Sequence, residues 1–175
     1  MRLERFYPKE RIASAYEIPY EKFREYGYRG IIFDIDNTLV PHGAPADGRA
    51  AALFKRLHGL GFATCLLSNN KEPRVKSFAE QVKSPYLYKG GKPSPAGYRR
   101  AMERMGLGPG ETLFVGDQLF TDIYGANRAG LYSILVNPIH PREEIQIVLK
   151  RFLEKPVLAA YERSRKVKRA ESKRS

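Results

Sequence analysis

Apolar positions along the chain come as short unbroken runs separated by stretches with helical spacing. Gly30-Ile31-Ile32-Phe33-Asp34-Ile35 is a short apolar run and predicts a buried strand. Phe62–Leu67, Tyr86–Tyr88, Thr112–Val115 and Tyr132–Val136 predict four more. Between them lie amphipathic segments. Pro45 to Leu60 sets Leu53, Leu57 and Leu60 on one face. Glu72 to Val82 carries Pro73 early, where a helix tolerates it. Ser94 to Met105 has Pro95 just inside its start and Gly106 just past its end. Phe120 to Arg128 is closed by Gly130, and a last helix runs from Glu143 to about Tyr161, with an interruption expected at Pro156.

Strands that alternate with helices imply βαβ units. Their right-handed crossovers give an α/β fold, a doubly wound, Rossmann-like parallel sheet of about five strands with helices on both faces. This domain occupies residues 30–161. Residues 1–29 differ from it: Phe6, Tyr7, Tyr16, Tyr20, Phe23, Tyr26 and Tyr28 are 7 of the chain's 20 aromatics. They read as a layer packed on the core by its rings, with a stacking surface for single-stranded nucleic acid as the competing reading.

Composition narrows the class. In 175 residues there is no apolar run near the ~20 of a membrane span, and the N-terminus lacks an apolar signal core. The lone Cys65 excludes an internal disulfide framework. A cytoplasmic protein is expected. The net charge of +12 is uneven: residues 163–175 hold seven bases and one acid, which leaves +6 for the rest. Residues 162–175 therefore read as a basic tail, mobile or a frayed helical extension, suited to an anionic surface.

In doubly wound sheets ligands bind beyond the carboxyl ends of the strands. Asp34 and Asp36, Ser68 and Asn69, Lys92, and Gly116-Asp117 with Asp122 all stand at or just after such ends. Clustered carboxylates repel one another unless a cation sits among them, and all-oxygen ligands suit Mg²⁺. Ser68, Thr38 and Lys92 add groups that can hold phosphate oxygens. Together these types indicate phosphoryl transfer. His42, His58 and His140 do not fall at strand tips, which argues against a Ser/His/Asp triad; His42 can approach from the loop after the first strand.

Asp34-Ile35-Asp36-Asn37-Thr38 resembles the DxDxT signature of the haloacid dehalogenase (HAD) superfamily of phosphatases. Ser68, Lys92-Pro93 and Gly116-Asp117-Gln118 with Thr121-Asp122 follow in the family's order, and the resemblance spans about residues 29 to 137. It is nearest subfamily IIIA and its YqeG-type branch, whose eukaryotic relatives are phosphatidylglycerophosphate phosphatases. The resemblance implies Asp34 as the nucleophile that becomes an aspartyl phosphate and Asp36 as general acid and base. It implies Mg²⁺ held by the Asp34 carboxylate, the Asp36 main-chain carbonyl and Asp117. Ser68 and Lys92 would hold phosphate oxygens, and Thr38 would support the turn and Asp34 beside the bound phosphate. Asn69 would be a substrate-side donor, Asp122 would orient Lys92 or the metal's waters, and Gly116 would let the backbone pass close to the metal.

Few residues separate Thr38 from the helix near Pro45, and only 23 lie between Ser68 and Lys92. Neither gap holds a cap domain, so an open site is expected, suited to phosphate on a large or membrane-presented molecule such as phosphatidylglycerophosphate. The basic tail adds peripheral contact with anionic lipid, at the inner face of the membrane. The alternative is an anion-binding module, for RNA or the ribosome, on the same fold.

Overall fold

The alternation of buried runs and amphipathic segments folds into one parallel sheet. The computed structural model describes residues 3–140 and 145–172. The strands are β1 (Glu10–Ile12), β2 (Gly30–Phe33), β3 (Ala63–Leu67), β4 (Tyr86–Leu87), β5 (Thr112–Gly116) and β6 (Tyr132–Val136). They lie in the order β1-β6-β5-β2-β3-β4, and every pair is parallel. The helices are α1 (Tyr20–Glu25), α2 (Gly48–Gly59), α3 (Glu72–Val82), α4 (Pro95–Met105), α5 (Tyr124–Arg128) and α6 (Ile145–Ser172).

Side chains alternate across the sheet. Ile31, Phe33, Leu113, Val115, Ile134 and Val136 enter one core with residues of α1, α2 and α3. Ile32, Cys65, Leu67 and Phe114 face the other way, onto Tyr98, Ala101 and Met102 of α4 and Ala126 of α5. The chain turns right after β3 and left after β4 in sheet order, so β2 and β5 flank the point where the winding reverses. That crevice is where such sheets bind ligands.

Three features differ from the sequence expectation. Glu10–Ile12 adds a sixth strand, which pairs with β6 at the sheet edge. The segment expected as a helix from Phe120 begins instead as a π turn, Leu119–Ile123, before α5. The last helix runs unbroken through Pro156, across residue 161, to Ser172. Its expected start at Glu143 lies outside the described residues, as do residues 173–175 of the basic stretch.

The N-terminal rings pack on the domain. Phe6 meets Phe120 and Tyr124, and Phe23, Tyr28 and Tyr132 form a cluster of edge contacts. Tyr20 is fully buried, its hydroxyl donating to the Ala15 carbonyl.

Candidate active site

The site begins where β2 ends. Asp34 N–H still donates to the Val115 carbonyl of β5, and the chain then folds back sharply. Asn37 takes a left-handed conformation (φ +61°), which asparagine accepts more readily than most side chains. Its N–H donates to the Val40 carbonyl at 2.7 Å. The turn buries Asp34 and Thr38 and aims both inward. The Thr38 hydroxyl lies 3.3 Å from Asp34 Oδ2 and 3.2 Å from Asp117 Oδ1, so one O–H serves two carboxylates in turn.

At the end of β5 the π turn decides the geometry. Both Asp122 and Ile123 donate N–H groups to the Gln118 carbonyl, and the widened turn points Asp122 back at the strand end. Asp122 Oδ2 accepts the N–H groups of Asp117 (3.2 Å) and Gln118 (3.0 Å). Tyr98 of α4 fixes the same turn through the Thr121 and Asp122 carbonyls. Gly116 is needed here because a Cβ would stand 2.7 Å from the Asp122 side chain. Gly116→Ala is therefore expected to cost about 1–3 kcal/mol of stability, as overpacking does, and to lower turnover by displacing Asp117 and Asp122. Chemical denaturation and hydrolysis of a chromogenic phosphate ester check both.

The loop after β4 delivers Lys92. Asn69 and Lys92 form a reciprocal pair: Lys92 N–H donates to Asn69 Oδ1 (2.9 Å) and Asn69 Nδ2 donates to the Lys92 carbonyl (3.1 Å). Ser68, buried at the end of β3, accepts the Asn70 N–H on its Oγ. Lys92 Nζ then sits 2.5 Å from Asp34 Oδ1 and 2.7 Å from Asp122 Oδ1.

Asp34, Asp117 and Asp122 are all buried, and one carboxylate oxygen from each lies within 4.8 Å of the others. Burial pushes Asp34 up to about 7; Lys92 opposes this and Asp122 adds to it. Asp117 is raised well above the usual carboxylate range by burial, then by Asp122 and Asp34, against the pull of Arg151. On Lys92 burial works against the charge, but Asp122 and Asp34 outweigh it and raise its pKa. Lys92 and Arg151 are cations already bound to this cluster, and its three buried carboxylates form a donor set that could hold a hard divalent cation.

Asp36 lines the same pocket but stands apart from this cluster. Its carboxylate accepts from Asn70 Nδ2 (2.6 Å), Gly43 N–H (2.7 Å) and Arg74 Nη2 (2.9 Å). Four closely converging aspartates are therefore three plus one. His42 also lines the pocket, as the loop placement allows. Asn70, Arg74 and two residues of α6 are additions that the sequence reading lacks. Arg151 donates to both Asp117 Oδ2 and the Asp117 carbonyl, and Lys150 lines the pocket mouth. Asn70 follows directly on Asn69, and its neighbour was a usable signal; Arg74 and Arg151 carry none beyond their charge.

The parallel sheet thus carries a buried aspartate–lysine pair at its switch point, and the comparisons with known proteins say which class of enzyme is built this way. A haloacid dehalogenase-like hydrolase family profile matches residues 42–130. The chain is 36% identical over 159 residues to "Probable phosphatase YqeG" of Bacillus subtilis (strain 168), covering 90% of this chain and 92% of that protein. It is 29% identical over 165 residues to "Phosphatidylglycerophosphate phosphatase 1, chloroplastic/mitochondrial" of Arabidopsis thaliana, covering 79% of this chain and 45% of that one. The solved "putative HAD superfamily (subfamily III A) hydrolase" from Legionella pneumophila shares the fold, with TM-score 0.53 and 17% identity over 69% of this chain and 72% of that one. The chain belongs to the haloacid dehalogenase-like hydrolases, as a HAD-superfamily phosphatase.

Proposed function

We propose that this phosphatase is a Mg²⁺-dependent phosphate monoester hydrolase that works through an aspartyl phosphate on Asp34. The observation that carries the reading is the buried Asp34–Lys92 pair facing an open pocket at the switch point. An Asp34 oxygen attacks phosphorus and the P–O bond to the leaving group breaks. Asp36 gives that oxygen its proton, held in orientation by Asn70 and Arg74. Water then attacks the aspartyl phosphate, Asp36 takes its proton, and phosphate leaves. Lys92 neutralises the transferring group, and Ser68 offers its hydroxyl to a phosphate oxygen.

The buried carboxylates fit a resident Mg²⁺. Asp34, Asp117 and the Asp36 main-chain carbonyl would hold it, and when bound it supplies Lewis-acid charge to the phosphoryl oxygens. Asp122 serves as an orienting group, because its oxygens already accept Lys92 and two backbone N–H groups. Thr38 holds Asp34 and Asp117, and Asn69 holds the Lys92 loop.

For the substrate we propose a phosphate presented on a large or membrane-held molecule, phosphatidylglycerophosphate among them, met at the cytoplasmic face of the membrane. The cavity is about 250 Å³, below the roughly 300–1,000 Å³ of pockets that enclose a drug-sized ligand. It accepts the phosphoryl group and the first atoms behind it. The name of the Arabidopsis relative points to the same substrate. No helix among the described residues is long and apolar enough to cross a membrane.

Mg²⁺ is expected to raise the melting temperature by roughly 5–10 °C at about a hundred times its dissociation constant. EDTA should reverse the rise and Asp117→Asn should lack it. A substrate panel run with Mg²⁺ should favour phosphatidylglycerophosphate over soluble sugar phosphates; equal turnover of both would overturn the substrate assignment.

A further inference from the structure

The helix that brings Lys150 and Arg151 to the pocket also carries a cluster of large apolar residues left in solvent. Val148, Leu149, Phe152 and Leu153 are 50–65% exposed, and Phe152 is the most exposed of the four. With 3.6 residues per turn they share one face, which exposed Pro156 and Ala159 continue. The opposite face holds buried Glu154, Val157 and Tyr161, so the helix is already docked on the domain through its other side. The exposed apolar face is thus surplus to folding.

Its flanks are basic. Lys150, Lys155, Arg163, Lys166, Lys168 and Arg169 are exposed along α6, against the buried Glu154 and the exposed Glu162 and Glu171. A second copy of this +12 chain would bring like charges together across that face. A surface with anionic headgroups over an acyl layer matches both the bases and the apolar side chains.

We propose that the exposed face of α6, residues 148–159, lies in the interfacial layer of an anionic bilayer and holds the pocket mouth at headgroup level. Lys150, which lines the pocket, precedes Phe152 by two residues, so one side of α6 meets the pocket while the other carries the embedded face. The inference rests on the reading of the substrate as a membrane-held phosphate and assigns the surface that brings enzyme and substrate together.

The chain has no tryptophan, so Phe152→Trp makes a single reporter at the centre of the face. Its emission should shift to the blue, and brominated lipid should quench it, on vesicles of phosphatidylcholine with phosphatidylglycerol. Vesicles of phosphatidylcholine alone should give a much smaller change. In flotation, Leu149→Ser with Phe152→Ser should weaken binding about tenfold or more, since two of the embedded side chains are lost. The double variant should keep its melting temperature and its hydrolysis of a soluble chromogenic ester. These vesicles carry no phosphate monoester, so binding is read independently of turnover. No flotation of the wild type would overturn the proposal. So would flotation that the double variant retains, since the basic end of the helix would then suffice alone. Concentration-dependent dimers abolished by the double variant, with no vesicle binding, would assign the face to a second copy instead.

Discussion

Asp34→Asn is expected to lower phosphate ester hydrolysis at least about 10³-fold, because an amide cannot form the acyl phosphate that divides the reaction into two steps. The same variant should be at least as stable as the wild type when metal is chelated. Burial raises the Asp34 carboxyl to about 7 in the fold, from an ordinary value of 3.8, despite Lys92 beside it. Between those values the native state holds a proton that the unfolded chain has released. Stability from this group is therefore greatest below about pH 4 and is lost as pH rises through about 7. Asparagine, neutral and of the same shape, escapes that loss. With EDTA present, the variant's melting temperature should exceed the wild type's at pH 8, and the gap should close towards pH 4. Turnover in Asp34→Asn near the wild-type level would remove Asp34 from the nucleophile's role. A gap that widens on acidification would mean that Lys92, and not burial, dominates the site.

How far the site was legible in the sequence follows from what each residue does. Asp34, Ser68 and Asp117 end apolar runs, and a polar residue that interrupts such a run is visible without a structure. Lys92 and Asp122 lie a few residues past strand ends, and the order of motifs locates them. Arg151 gives no such signal: its guanidinium reaches Asp117 across 34 residues of sequence, from a helix that packs through Val157 against Phe6 and the π turn. Asp36 was legible as a residue but not as a direction. Its alternation from Asp34 suggests a shared rim, yet the turn at Asn37 leaves its carboxylate to Arg74 and Asn70.

The fold divides in a similar way. Strands buried on both faces show as continuous Val, Ile, Leu and Phe runs, and β2, β3, β5 and β6 are of this kind. Strand β1 is Glu-Arg-Ile at the sheet edge, where ladder hydrogen bonds to β6 hold it and little side-chain burial is needed. The π turn at Leu119–Ile123 shares its apolar pattern with an α-helix, and only its hydrogen bonds to Gln118 tell them apart. At Pro156 the missing N–H leaves a gap in the ladder on an exposed face, and Glu154, Val157 and Tyr161 dock the helix on either side of it.

Lys92→Met should damage both the fold and the chemistry. The ammonium is buried, with 5% of its side chain exposed, and it separates two carboxylates at 2.5 and 2.7 Å. Removing it leaves Asp34 and Asp122 as close, buried, like charges. Stripping one partner from a buried ion pair typically costs about 3–5 kcal/mol. In a chain of this size that is a fall of roughly 6–20 °C in melting temperature. The loss should shrink on acidification, because protonating either carboxyl relieves the repulsion. A second substitution, Asp122→Asn, should restore part of the stability, since Asp34 then faces only Asp117, which Arg151 already binds. It should not restore hydrolysis, because nothing then neutralises the transferring phosphoryl group. The split between recovered stability and absent turnover separates Lys92's two functions. An unchanged melting temperature in Lys92→Met would show that the carboxylates find another counter-charge, with Arg151 the nearest one already bound to the cluster. The double substitution Lys92→Met with Arg151→Met would then be the more damaging change, and its thermal denaturation in EDTA reads that directly.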